Sequence, residues 1–119
     1  MQYLLLIYGN EKTWAKQPSD ERDNLNQEYM EFTGSIARSG HLRGGNELDD
    51  TTKAKTVRVR GGKTVVTDGP FAETKEQLGG YYLIEAPNEK EALEIAAHIP
   101  SARWGSIEVR PIIPHPMPG

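Results

Sequence analysis

The residues best suited to chemistry lie in one short stretch, residues 68–76, with the sequence DGPFAETKE. This stretch places three carboxylates and one ammonium group around a Gly-Pro corner, where glycine permits unusual backbone angles and proline fixes φ. A carboxylate held at the mouth of a sheet can act as a general base when it is withdrawn from water. We therefore take Asp68, Glu73 and Glu76 as candidate catalytic residues.

Each of these charges also has a structural interpretation. Asp68 begins a turn, where an aspartate commonly accepts a hydrogen bond from the backbone two residues on. Glu73, Lys75 and Glu76 form a charge run of the kind that is usually solvated. A ligand site is favoured by the rigid corner and by Gly79-Gly80, which would let a ligand approach the backbone. Lys75 would then orient a carboxylate or hold an anionic substrate.

Aromatic and basic side chains near the corner are candidate ligand-binding residues. Tyr81 and Tyr82 are adjacent in a predicted strand and so face opposite ways, one under the helices and one at a cleft or dimer face. Arg110 ends an alternating strand and points away from the apolar side, either as a surface or interface ion pair or as a charge inside a cleft. With Phe71 and Lys75, these residues complete the predicted binding set.

The histidines do not indicate a metal site. His41, His98 and His115 lie far apart, without the spacing typical of metal ligands. His41 follows a predicted helix cap and opens a strand, so it is the one histidine that we keep as a candidate for acid–base catalysis. The chain has no cysteine and no cofactor motif, and we expect neither a metal nor a cofactor.

The elements that must position these residues follow from hydrophobic periodicity. Apolar or alternating runs predict strands at 3–8, 41–48, 56–60, 63–67, 79–85 and 106–110, and Gly61-Gly62 predicts a tight hairpin turn. The segment from Glu11 to Gln17 has no clear period and is expected to be a loop. Ser19 is expected to cap a helix whose apolar stripe ends before Gly40, and Asn88 a second helix that stops at Pro100.

This order of elements predicts an α+β fold, a ferredoxin-like sandwich with an inserted β-hairpin. Residues 1–111 are expected to form one domain and residues 112–119 an extended, Pro-rich C-terminal tail. Two helices cover one face of such a sheet, yet strands 3–8 and 81–84 are apolar on both faces. We therefore expect a homodimer paired through its sheets.

Composition restricts the choice of partners. The 119 residues carry a formal charge of −3, without the basic footprint expected for binding nucleic acid or an anionic membrane. The N-terminal apolar run is too short for a signal or a membrane span. Cytoplasm is the expected location, which suits the absence of cysteine.

Residues 68–76, together with the LGGYY run at 78–82, resemble the signature of the DGPF family within the YCII-related proteins, and both ends of the chain resemble that family too. The resemblance implies a dimeric α/β barrel and a largely uncharacterised function, with a possible link to sigma-factor pathways. The His-Asp pair proposed for YCII-like relatives is not matched, because positions 20–22 hold Asp, Glu and Arg. Two functions stay open: a cofactor-free small-molecule enzyme with a carboxylate in a dimer cleft, or a non-catalytic ligand-binding or regulatory protein.

Overall fold

The computed structural model describes residues 1–117, which fold as a mixed α+β domain. Pro118 and Gly119, at the end of the predicted tail, lie outside the described residues. The strands are β1 (Gln2–Gly9), β2 (Leu42–Glu47), β3 (Lys55–Arg60), β4 (Lys63–Asp68), β5 (Gln77–Glu85) and β6 (Ser106–Pro111), and the α-helices are α1 (Glu11–Ala15), α2 (Ser19–Arg38) and α3 (Glu89–Ala97).

The main sheet has the strand order β2-β5-β1-β6, with every neighbouring pair antiparallel. This order is compatible with a ferredoxin-like sandwich, because β1 and β2 flank a strand from later in the chain. Gly80 and Gly45 allow close approach at the β2–β5 pair: a Cβ at Gly80 would lie 2.9 Å from the carbonyl oxygen of Asn46. In each Gly-Gly pair of these strands one glycine, Gly45 or Gly80, therefore lies where the neighbouring strand leaves no room for a side chain.

The long helix α2 covers one face of this sheet. Leu25, Phe32 and Ile36 are buried along its predicted stripe. The prediction for its start was wrong, because Ser19 is the first helical residue and no side chain caps the helix. Gly40 ends it as predicted: its φ of 83° is the left-handed conformation that glycine adopts without strain.

The shorter helix α3 lies on the same face and begins as predicted, with the Asn88 side chain accepting a 2.9 Å hydrogen bond from the Glu91 backbone N–H. By contrast, α1 was expected to be a loop. Its five residues are too few to show a helical period, and the helix is fixed locally because the Asn10 side chain accepts from the N–H groups of Lys12 and Thr13.

The core lies between the sheet and these helices. Leu5, Ile84 and Ile99 are its largest fully buried side chains, and Phe32 packs edge-on against Tyr82 with ring centroids 5.2 Å apart. Burial of one such aliphatic side chain stabilises the fold by about 1.5–3 kcal/mol. The hydrophobic core therefore lies on one face of the main sheet, between the side chains of that face and those of α2 and α3.

Strands β3 and β4 form the predicted hairpin, but as a separate two-stranded sheet. Gly61 and Gly62 both have positive φ, 58° and 76°, as a type I′ turn requires. We call residues 55–68 the arm. The radius of gyration is 16.5 Å, against about 13.5 Å for a compact chain of this length; the arm forms a separate sheet and residues 112–117 have no helix or strand.

Among the described residues, no helix is both long and apolar enough to cross a membrane.

Candidate ligand site

The face of the main sheet opposite the helices carries a second set of apolar side chains, which we call the open face. Cross-strand pairing places Leu4 beside Leu83 and Leu6 beside Tyr81 on this face. None of its apolar residues belongs to the buried core, and each stays partly exposed to solvent. The apolar members of the open face are Leu4, Leu6, Tyr8, Leu78, Tyr81 and Leu83.

Polar side chains border the open face at both edges. On the β2 edge, Asn46 Nδ2 donates a 2.8 Å hydrogen bond to the Tyr81 hydroxyl. On the β6 edge, Arg110 Nε lies 3.0 Å from Glu108 Oε1 in an ion pair. One row across the four strands therefore runs Asn46, Tyr81, Leu6, Glu108, polar at each end and apolar in the middle.

The two adjacent tyrosines face opposite ways, as predicted. Tyr81 lies on the open face, whereas Tyr82 packs under α2, where its hydroxyl is 2.7 Å from Thr33 Oγ1. Burial raises the pKa of Tyr82 above its ordinary value, and the hydrogen bond to Thr33 partly offsets this effect. Tyr81 is thus the tyrosine that a ligand on the open face would meet.

The predicted corner begins at the root of the arm. The Asp68 carboxylate forms an ion pair with Lys55, its cross-strand neighbour in the arm, and its side chain is 86% exposed. The expected hydrogen bond to the backbone two residues on cannot form, because that residue is Pro70 and lacks an N–H. The turn is fixed instead by Gly69, which has a φ of 90° and donates a 2.7 Å hydrogen bond to the Ala54 carbonyl oxygen.

The rest of the corner divides into exposed and anchored residues. Phe71 is 81% exposed, and Glu73 and Lys75 are exposed as well. Glu76 is half-buried, and its Oε1 accepts a 2.9 Å hydrogen bond from Ser106 Oγ. Ser106 pairs with Tyr8 across β1 and β6, so Glu76 is the predicted carboxylate that reaches the open face.

The sequence matches a known protein family over nearly its whole length. The model of the YCII-related domain matches residues 1–116. This chain belongs to the YCII-related family. It is also 38% identical over 114 residues to an uncharacterised protein of Rhizobium meliloti (strain 1021), which covers 94% of this chain and 92% of that protein.

In this YCII-related protein His41 lies far from the corner. Its backbone oxygen accepts from the Glu85 N–H at the end of β5, whereas Glu76 precedes the start of that strand. The nine residues of β5 span about 25–30 Å at the usual rise per residue. One protomer therefore does not bring His41 together with the corner carboxylates.

The His41 ring has two polar neighbours that the sequence did not indicate. Nδ1 lies 2.6 Å from Ser39 Oγ, and Nε2 lies 3.1 Å from Glu91 Oε2. Such a Ser-His-Glu chain could in principle activate the hydroxyl. The backbone N–H groups of Ser39, Gly40 and His41 are all bonded to carbonyls at the end of α2, so none of these three is free to stabilise an oxyanion. The arrangement therefore fits a structural link between α2 and α3.

No group of three His, Asp or Glu side chains within residues 1–117 is arranged to hold a metal ion. The polar residues that sequence reasoning missed on the open face are Asn46 and Ser106. The sequence could not show the strand order that aligns Asn46 with Tyr81 and Ser106 with Tyr8.

Proposed function

We propose that this protein is a homodimer that binds a small molecule at the open face, between two copies of the sheet. The observation that carries the proposal is the row from Asn46 to Glu108, which surrounds an apolar centre with hydrogen-bonding groups on both sides. Ligand sites typically combine an apolar lining with a few polar groups that fix orientation.

The dimer is supported by the amount of apolar side chain on the open face. Six apolar or aromatic residues from two central strands lie there, partly exposed, while the core occupies only the other face. Exposed apolar patches of this kind usually mark an interaction surface. Two sheets packed face to face lie about 10 Å apart. At that distance they would cover the apolar centre of the open face and leave a cleft wherever the facing side chains are small.

The ligand that fits this surface is a small molecule with an apolar ring and an anionic group. Leu6 and Leu83 would contact the ring, and Arg110 would pair with the anion in place of Glu108. The Tyr81 hydroxyl and the Asn46 amide supply hydrogen bonds at the opposite edge. Phe71 and Lys75, exposed in one protomer, would join this site only if the partner brings its corner over the cleft.

A second candidate function is cofactor-free acid–base catalysis, and Glu76 is the observation that favours it. Glu76 is half-buried beside Ser106 at one end of the open face, where it could accept a proton from a bound substrate. Asp68 and Glu73 are more exposed and would act only at the cleft entrance. His41 is bonded to Glu91 of α3 on the helix side of the sheet, so it would not take part in this catalysis.

In the non-catalytic form of the proposal, the dimer binds its ligand without turnover and has a regulatory role. A dimer whose assembly responds to a metabolite would serve a sigma-factor pathway of the kind that the DGPF-like corner suggests. We also propose a cytoplasmic location, as a role in a sigma-factor pathway would require. Binding without turnover would favour this form over the enzyme.

The proposal is tested by binding of the anionic aromatic dye anilinonaphthalene sulfonate, combined with sedimentation equilibrium. We expect the wild-type protein to be dimeric at micromolar concentration and to bind the dye saturably. Arg110→Gln should weaken dye binding about tenfold by removing a charge-assisted contact of about 1.4 kcal/mol. The matched control is Arg22→Gln, since Arg22 is an exposed arginine on α2.

Two results would contradict the proposal. One is a wild-type mass equal to a single chain, which would remove the dimer. The other is equal dye affinity in the Arg110→Gln and Arg22→Gln proteins, which would place the dye away from the β6 edge. Far-UV circular dichroism of each variant excludes loss of folding as the cause.

A further inference from the structure

The arm has two chemically different faces, because side chains alternate along each of its strands. Val57 pairs with Val66, and Val59 pairs with Thr64 on the same side. The exposed fractions of the three valines are 62%, 62% and 59%. We call this surface of Val57, Val59, Thr64 and Val66 the valine face.

The opposite side of the arm is basic. Arg58 pairs with Val65, and Arg60 pairs with Lys63 next to the turn. Residues 55–68 hold four basic side chains and one carboxylate, a formal charge of +3, so the rest of the chain, with ten basic and sixteen acidic side chains, carries −6. The positively charged arm of one copy is therefore complementary to the negatively charged remainder, or body, of a second copy.

An exposed apolar face on a two-stranded ribbon is unfavourable in water. A single two-stranded hairpin is marginally stable unless it packs against another surface. In this protomer the arm forms its own sheet, separate from the main sheet, and the valine face stays exposed. A covering surface from outside the protomer would stabilise the arm by burying the three valines.

The root of the arm lies beside one end of the open face. Leu48, seven residues before the arm, donates a 2.9 Å hydrogen bond from its backbone N–H to the carbonyl oxygen of Gly79, next to Leu78 of the open face. Thr51 is held to the same end through the Glu11 carboxylate, which accepts from its N–H and its hydroxyl at 3.0 and 2.8 Å. A molecule that covers the open face therefore lies next to the arm.

We propose that the valine face of each arm packs on the body of the second copy, so that two protomers clasp each other through exchanged arms. This inference rests on the proposed homodimer and adds a specific contact to it. The occupant is a second copy because its body lies beside the arm root when it covers the open face and carries apolar surface of its own. The net charges of +3 on the arm and −6 on the rest of the chain add a longer-range attraction between the two copies, although the basic side chains themselves face away from the contact.

Cross-linking gives the first test. Because the chain has no cysteine, an introduced cysteine is the only thiol that the label can modify. Val66→Cys places a thiol on the valine face, and Val65→Cys places a thiol on the basic face, at the adjacent position of the same strand. Each protein is labelled with a benzophenone maleimide and mixed as isotopically light and heavy protein before irradiation. We expect light–heavy peptide pairs from Val66→Cys, and several-fold fewer from Val65→Cys.

The dimer dissociation constant gives the second test. The triple variant Val57→Thr, Val59→Thr, Val66→Thr keeps β-branched residues in the arm and removes its apolar contact. It should raise the constant at least about tenfold, equivalent to about 1.4 kcal/mol, whereas Val65→Thr should leave it within about twofold. The cross-linking result stands independently if the triple variant folds poorly.

The outcomes separate this inference from the proposed dimer. A wild-type dimer with an unchanged constant in the triple variant, and no light–heavy pairs from Val66→Cys, would overturn the exchanged arms and leave the dimer intact. A monomeric wild type would overturn both. Binding of a duplex oligonucleotide by the wild type that is lost in Arg58→Gln, Arg60→Gln, with the dimer constant unchanged in the valine variant, would replace the second copy by nucleic acid and overturn the inference.

Discussion

The Tyr82 hydroxyl lies 2.7 Å from Thr33 Oγ1, which joins the middle of β5 to the helix packed over it. The Tyr82 ring also contacts Phe32 edge-on, at an interplanar angle of 67°. One side chain therefore combines an aromatic contact with a polar anchor between the layers, and the two contributions can be measured separately.

Tyr82→Phe should lower the free energy of unfolding by about 1 kcal/mol, because it removes the hydrogen bond to Thr33 and keeps the ring. The neighbouring change Tyr81→Phe removes a hydroxyl from the open face and should cost less than about 0.5 kcal/mol. Urea denaturation measures both. If Thr33→Val costs nothing further in the Tyr82→Phe background, the coupling between the two hydroxyls is established; additive losses would argue against it.

Stability should fall steeply in alkaline solution. Burial raises the pKa of Tyr29 and of Tyr82 above 10.0, and a hydrogen bond between the Tyr29 hydroxyl and Ser101 acts the other way. An unfolded tyrosine loses its proton at about pH 10, below the pKa of the folded form. The unfolded state therefore binds fewer protons above that pH, and stability is lost as pH rises through the folded pKa.

The measurement is the urea midpoint of wild type and Tyr82→Phe at about pH 9 and about pH 11. Tyr82→Phe should show the smaller decline, since one of the two titrating groups is gone. Equal declines in both proteins would assign the alkaline loss to other groups.

Gly105→Ala should destabilise the fold by about 2 kcal/mol or more, because added volume in a tight site forces the backbone to shift. A Cβ at position 105 would overlap the carbonyl oxygen of Tyr8 in β1. Gly9→Ala is the matched control, as a Cβ there meets nothing within 4 Å. Thermal or urea unfolding compares the two, and similar losses would contradict the close approach of the loop before β6 to β1.

The corner should depend on Gly69 and not on Asp68. Asp68→Asn is expected to change stability by less than about 0.5 kcal/mol, because its ion pair with Lys55 is largely exposed to solvent. Gly69→Ala should cost about 1–2 kcal/mol, since its φ of 90° is strained for an L side chain. A larger loss for Asp68→Asn than for Gly69→Ala would restore the aspartate as the residue that fixes the turn.

Elements with strong local signals could be predicted from sequence. The stripe through Phe32 and Ile36, the Asn88 cap and the Gly61-Gly62 turn each combine a residue type with a fixed spacing, and the structure has all three. The five-residue helix α1 escaped prediction because its stabilising contact is a side-chain cap at Asn10 within a segment too short to show periodicity.

The candidate site was harder to predict because it depends on which strands become neighbours. Sequence reasoning placed Arg110 on the side away from the core, and placed one tyrosine of the adjacent pair there too. It could not show that Leu6 separates Tyr81 from Glu108, because β5, β1 and β6 are distant in the chain. Nor could it show that His41 and Glu76 lie at opposite ends of β5.

The alternation of side chains along strand β1 determines how substitutions in that strand affect the protein. Its odd-numbered residues Tyr3 and Leu5 are buried in the core, while its even-numbered residues Leu4 and Leu6 lie on the open face. Substitutions at the odd positions would disturb the core, whereas substitutions at the even positions would change the chemistry of the exposed face with less effect on folding. A single strand thus encodes core packing and surface chemistry at alternate residues.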